Sequence, residues 1–106
     1  MEKFIWLSYD LGIKGDYQGI YSWLDDHGAK ECGDSVAALS FSYEGGDFFE
    51  ALKADLEADV SLDRHSRIYV VRQENGKLKG RFLFGKRQRA PWTGYGTYLE
   101  QDEDED

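Results

Sequence analysis

Two short segments constrain this chain most, because both read as strands with apolar side chains on both faces. Residues 3–10 run Lys-Phe-Ile-Trp-Leu-Ser-Tyr-Asp, with Phe4 and Trp6 alternating against Ile5, Leu7 and Tyr9. Residues 67–73 run Arg-Ile-Tyr-Val-Val-Arg-Gln and repeat the pattern. Successive side chains of a strand point to opposite sides of a sheet. Such strands therefore belong in the middle of a sheet and need cover above and below. A chain of 106 residues has room for a single core, so that cover is scarce.

The rest of the chain supplies two helices. Asp16 is an N-cap candidate, and Tyr17, Ile20, Tyr21 and Leu24 then follow at one-face helical spacing. Gly28 stands where a C-terminal cap belongs, which predicts a helix over 17–27. Gly19 inside it costs about 1 kcal/mol relative to alanine. A second helix is expected over 47–60. Asp47 and Glu50 resemble a capping box, and Phe48, Phe49, Leu52, Leu56 and Val60 form its apolar stripe. Between the helices, residues 29–34 read as a short strand and turn. Ala37, Leu39, Phe41 and Tyr43 then mark one face of a half-buried strand over 35–43. Glu74-Asn75-Gly76-Lys77 is a type I′ hairpin signal joining 67–73 to a returning strand over 77–85.

The order is β-α-β-β-α-β with one strand added at the end. It predicts an α+β fold, a ferredoxin-like sandwich with an additional C-terminal β-strand. Both helices then lie on one face of the sheet, and the other face is left open. A large bare apolar face is rare on a monomer. A second copy of the chain would cover it as a homodimer. The chain's own aromatic and glycine-bearing segment 86–98 is the other candidate cover.

Composition narrows the setting. Aromatics are 15% of the chain, enough for a packed core, so wholesale disorder is excluded. No apolar run approaches the roughly 20 residues of a membrane span. The first residues have no basic-then-apolar leader. One cysteine allows no internal disulfide, and with two histidines it argues against structural zinc. A cytoplasmic setting is expected.

The charge is uneven. Net charge is -8, but residues 100–106 hold six acids, and without them the balance is -2. Residues 1–99 are read as one domain and 100–106 as an acidic disordered tail. Lys77, Lys79, Arg81, Lys86, Arg87 and Arg89 form a basic stretch with no acid among them. Lys79, Arg81, Lys86, Arg87 and Arg89 are candidates for nucleic-acid binding, although basic residues also protect an edge strand from unwanted pairing. Trp23, Trp92, Tyr95 and Tyr98 could stack on bases beside Arg87 and Arg89, or close a core. Asp25, Asp26, Asp55, Glu57, Asp59 and Asp63 make the helical side acidic, which places any nucleic acid on the opposite side.

Ser8-Tyr9-Asp10-Leu11 before a helix bearing Tyr17, Tyr21 and Leu24, then Gly28, Asp34-Ser35-Val36 and Arg67-Ile68-Tyr69-Val70, resemble a known group. Over about residues 3–73 the chain looks like the CRISPR-associated protein 2 family and its VapD-like and SinR-like relatives. The resemblance implies a ferredoxin-like homodimer that acts on or binds nucleic acid. It also implies that Asp10 matches the aspartate ending the first strand of those metal-dependent nucleases. Asp10 is thus the candidate catalytic and metal residue, with Mg²⁺ as the implied cofactor shared across a twofold axis. Read from the residues alone, Asp10 is first a loop aspartate that bonds nearby backbone amides. Asp16 and Asp34 are candidate helpers. His27 reads as a helix cap, Cys32 as a small, partly buried side chain and His65 as solvent-facing. The competing function is a non-catalytic protein-interaction module that offers its acidic face and tail to a basic protein partner.

Overall fold

The structure is a computed structural model and describes residues 1–96. Tyr98 and the acidic residues 100–106 lie outside the described residues. The elements are β1 (Glu2–Asp10), α1 (Tyr17–Asp26), β2 (Lys30–Gly33), β3 (Val36–Ser42), α2 (Phe48–Asp59), β4 (Arg67–Glu74) and β5 (Lys77–Phe84). The fold is α+β. Its five-stranded sheet has the order β2-β3-β1-β4-β5, and every neighbouring pair is antiparallel.

Local chemistry sets the boundaries. The Asp16 carboxylate accepts from the Gly19 amide at the start of α1, and Asp47 accepts from the Glu50 amide at the start of α2. Gly28, with φ 64°, ends the first helical segment in the left-handed conformation that glycine adopts freely. The β4–β5 hairpin turns at Asn75 and Gly76, whose φ values of 54° and 79° are those of the type I′ turn.

Both helices cover the same face. Phe41 of β3 stacks on Trp23 of α1 and meets Phe48 of α2 edge-on. Ile5, Leu7 and Tyr9 of β1, Ala37, Leu39 and Phe41 of β3, and Ile68 and Val70 of β4 form the sheet side of one core. Ile20, Trp23, Leu24, Phe48, Leu52 and Leu56 form the helix side. One polar strand joins the helices: Trp23 Nε1 donates to Asp55 Oδ2 at 2.8 Å, and His27 Nε2 stands 3.1 Å from the same oxygen. The His27 ring stacks on Trp23, and its Nδ1 donates to the Trp23 carbonyl.

Arg72 is buried on the helix side of β4, in line with Ile68 and Val70. Its guanidinium lies 4.4 Å from the centre of the Phe49 ring, and Nη2 donates to Glu74. Arg81, across the ladder on β5, lies over the same ring at 4.3 Å. Arginine is tolerated there because an aromatic face and a carboxylate replace part of its hydration.

The second face of the sheet is bare. Phe4 is 50% exposed and Trp6 37% exposed, and their rings meet edge-on. Register places Trp6 between Ala38 and Val71, with Val71 next to Gly80. Tyr69 meets Phe82 edge-on and crosses β5 at Gly80, where a Cβ would collide with its ring. The segment 86–96 leaves Trp92 and Tyr95 73% and 64% exposed, so these two rings do not cover the sheet.

Candidate functional site

Asp10 ends β1 on the bare face, directly across the ladder from Arg67. Its Oδ1 accepts from the Gly12 amide at 3.1 Å, and its Oδ2 accepts from Arg67 Nη2 at 3.3 Å. The first bond is an aspartate turn onto the residue two places on, and the second is an exposed ion pair. A shallow depression beside it is lined by Ser8, Asp10, Arg67, Tyr69 and Phe82.

One copy of the chain does not fit Mg²⁺ at this point. A hard cation wants several oxygens, and here one carboxylate is already held by a guanidinium. Asp16 is committed elsewhere, with Oδ1 on the Gly19 amide and Oδ2 on the Ser61 amide. Asp34 lies at the β2–β3 turn, where its carbonyl accepts from the Tyr9 hydroxyl at 3.4 Å. Among the described residues no three His, Cys, Asp or Glu side chains gather as a metal site.

The basic residues divide into two groups. Lys79 pairs across the ladder with Arg72, and Arg81 with Val70, so both share the helix side of β5. Strand alternation thus puts these two on the same side as the acidic helices, away from the side where the sequence places any nucleic acid. Lys86, Arg87 and Arg89 are exposed in the segment after β5. Trp23 is buried in the core, and Trp92 and Tyr95 lie in that later segment, so the structure does not bring these aromatics together.

Cys32 is exposed, which corrects the expectation of a partly buried thiol. It lies on β2, whose four residues are all exposed because no helix covers this short edge strand. His65 is exposed, as its loop position predicts.

The sequence reading passed over a groove beside α1 and β2, lined by Tyr9, Tyr21, Asp25, Lys30, Glu31 and Asp34 among others. Tyr21 packs edge-on against Tyr9 and tilted against Tyr17. Burial, and behind it the neighbouring phenols of Tyr21 and Tyr17 and the carboxylates of Asp34 and Glu31, push the Tyr9 phenol above its ordinary range. The residues were visible in the sequence, but only the fold brings α1, β2 and the β2–β3 turn to the rim of one groove.

Among the described residues no helix is long and apolar enough to cross a membrane. No family model, no curated protein and no solved structure matches this chain.

Proposed function

We propose that this protein is a non-catalytic interaction module that pairs with itself through the bare sheet face and offers its acidic helical side to a basic protein partner. One observation carries the reading: the two faces of the sheet are opposite in charge character. Phe4, Trp6, Val36, Ala38, Tyr69, Val71, Leu78 and Phe82 share the bare face, and its middle holds no charged side chain. The charged pair Asp10–Arg67 stands at its rim. Aromatic and uncharged at the centre, charged at the rim, is the anatomy of a protein interface. Two copies with acidic helical sides can meet there without opposing like charges. The order β2-β3-β1-β4 supports a ferredoxin-like arrangement, with β5 added at the β4 edge. It is also compatible with kinship to the CRISPR-associated protein 2, VapD-like and SinR-like group.

The test is light scattering of the purified chain. Wild type should run at about twice 12.2 kDa, and Trp6→Glu at 12.2 kDa with unchanged circular dichroism. A wild-type monomer at high micromolar concentration would remove the pairing.

A second reading keeps the nucleic-acid function, as a homodimeric metal-dependent nuclease. It is favoured by the position of Asp10 on the same face as the proposed interface, where a second copy could bring another carboxylate. Lys86, Arg87 and Arg89 would supply phosphate contacts.

A further inference from the structure

The groove beside α1 and β2 has a volume of about 360 Å³, and aromatic rings and carboxylates line it together. Three acids line it, Asp25, Glu31 and Asp34, against one base, Lys30. Tyr9 lies at its buried side, and Tyr21 is half exposed. The Tyr9 hydroxyl is turned to the Asp34 carbonyl.

We propose that this groove receives an arginine side chain of a protein partner. A guanidinium suits it better than an ammonium. It is planar and weakly hydrated, so it can stack on a tyrosine while its fork of N–H groups meets carboxylates. The groove also borders an edge of the sheet: among the described residues β2 pairs only with β3, and no strand lies along its outer edge. An extended partner segment can lie along that edge with its arginine in the groove. The inference rests on the acidic-side reading above and does not need the sheet-to-sheet pair.

The experiment is an amide NMR titration of the full chain with acetyl-arginine amide, using acetyl-citrulline amide as the uncharged isostere. Arginine should move the amides of Tyr21, Asp25, Glu31 and Asp34 saturably, and citrulline should not. The double variant Glu31→Gln, Asp34→Asn, at exposed positions that a fold tolerates, should weaken the apparent affinity about fivefold. Tyr21→Ala should weaken it as well while leaving amide dispersion intact. Equal shifts from citrulline, or an affinity unchanged in the double variant, would overturn the site. Shifts confined to Asp55–Asp63 would also overturn it, while leaving the acidic-side reading standing. No shifts anywhere would overturn both.

Discussion

Asp16 does more than cap a helix. Its two carboxylate oxygens accept from Gly19, three residues on, and from Ser61, just past the end of α2. The cap was legible in the sequence because aspartate before an amphipathic run signals a helix start. The role of Gly19 was not legible. On its own it reads as a weak point in α1, but a Cβ there would collide with the Asp16 carboxylate. Gly19→Ala should therefore lower the thermal midpoint, although alanine in a free helix gains about 1 kcal/mol over glycine. A raised midpoint in a melting curve would contradict the crowding. The two amide bonds, Ser61 first, hold the Asp16 carboxyl below its ordinary range. A carboxyl depressed in the folded state binds protons more readily once unfolded. Its contribution is thus complete above the ordinary aspartate range and is lost as pH falls through the depressed value. The stability difference between wild type and Asp16→Asn should shrink as melts are taken from neutral pH into that acid range. A constant difference would show that charge plays no part. Arg72 marks another limit of single-residue reading. Alternation assigns it to the core face, but only the neighbouring Phe49 ring and Glu74 make a buried guanidinium acceptable there.

At the scale of elements the sequence was largely sufficient. Period-two and helical spacing predict every strand and both helices, and Asn75-Gly76 predicts the hairpin, because each of these signals is local. What joins the elements was hidden, since it depends on residues far apart in the chain. The clearest case is Asp55 of α2, which takes the indole N–H of Trp23 and faces His27 across the helix pair. In sequence Asp55 is one more acid on a solvated face. In the structure it satisfies a donor whose side chain is almost fully buried. Asp55→Ala leaves that indole N–H without a partner and should cost about 1–3 kcal/mol in urea unfolding, more than a surface acid usually costs. Glu57→Ala, on the exposed side of the same helix, is the control and should stay within about 0.5 kcal/mol. Equal effects from the two variants would show that the bridge contributes nothing beyond helix propensity.

Among the described residues, charge is sorted by surface: acids on the helical side, a sheet face charged only toward its rim, and bases on β5 and the segment after it. The acidic helices and the bare face could both be anticipated, because each follows from the side-chain period. The division of the basic stretch could not, since it depends on where β5 ends and irregular chain begins. That division decides how a nucleic acid could be held. Lys79 and Arg81 lie on the acidic side of the sheet, so the exposed trio Lys86, Arg87 and Arg89 would have to provide the phosphate contacts. Three contacts to a single strand give a log-log salt slope of only about -2, which is weak binding. Asp10 is no better placed for catalysis, since its carboxylate is divided between the Gly12 amide and Arg67. The purified protein with Mg²⁺ should therefore leave labelled RNA and DNA intact. Any binding at low salt should vanish by physiological salt and be lost when Lys86, Arg87 and Arg89 are changed together to alanine. Cleavage by wild type that disappears in Asp10→Ala would reverse the choice between the two functions. It would require two copies of the chain to bring together what one keeps apart, a carboxylate freed from Arg67 and a second one beside it.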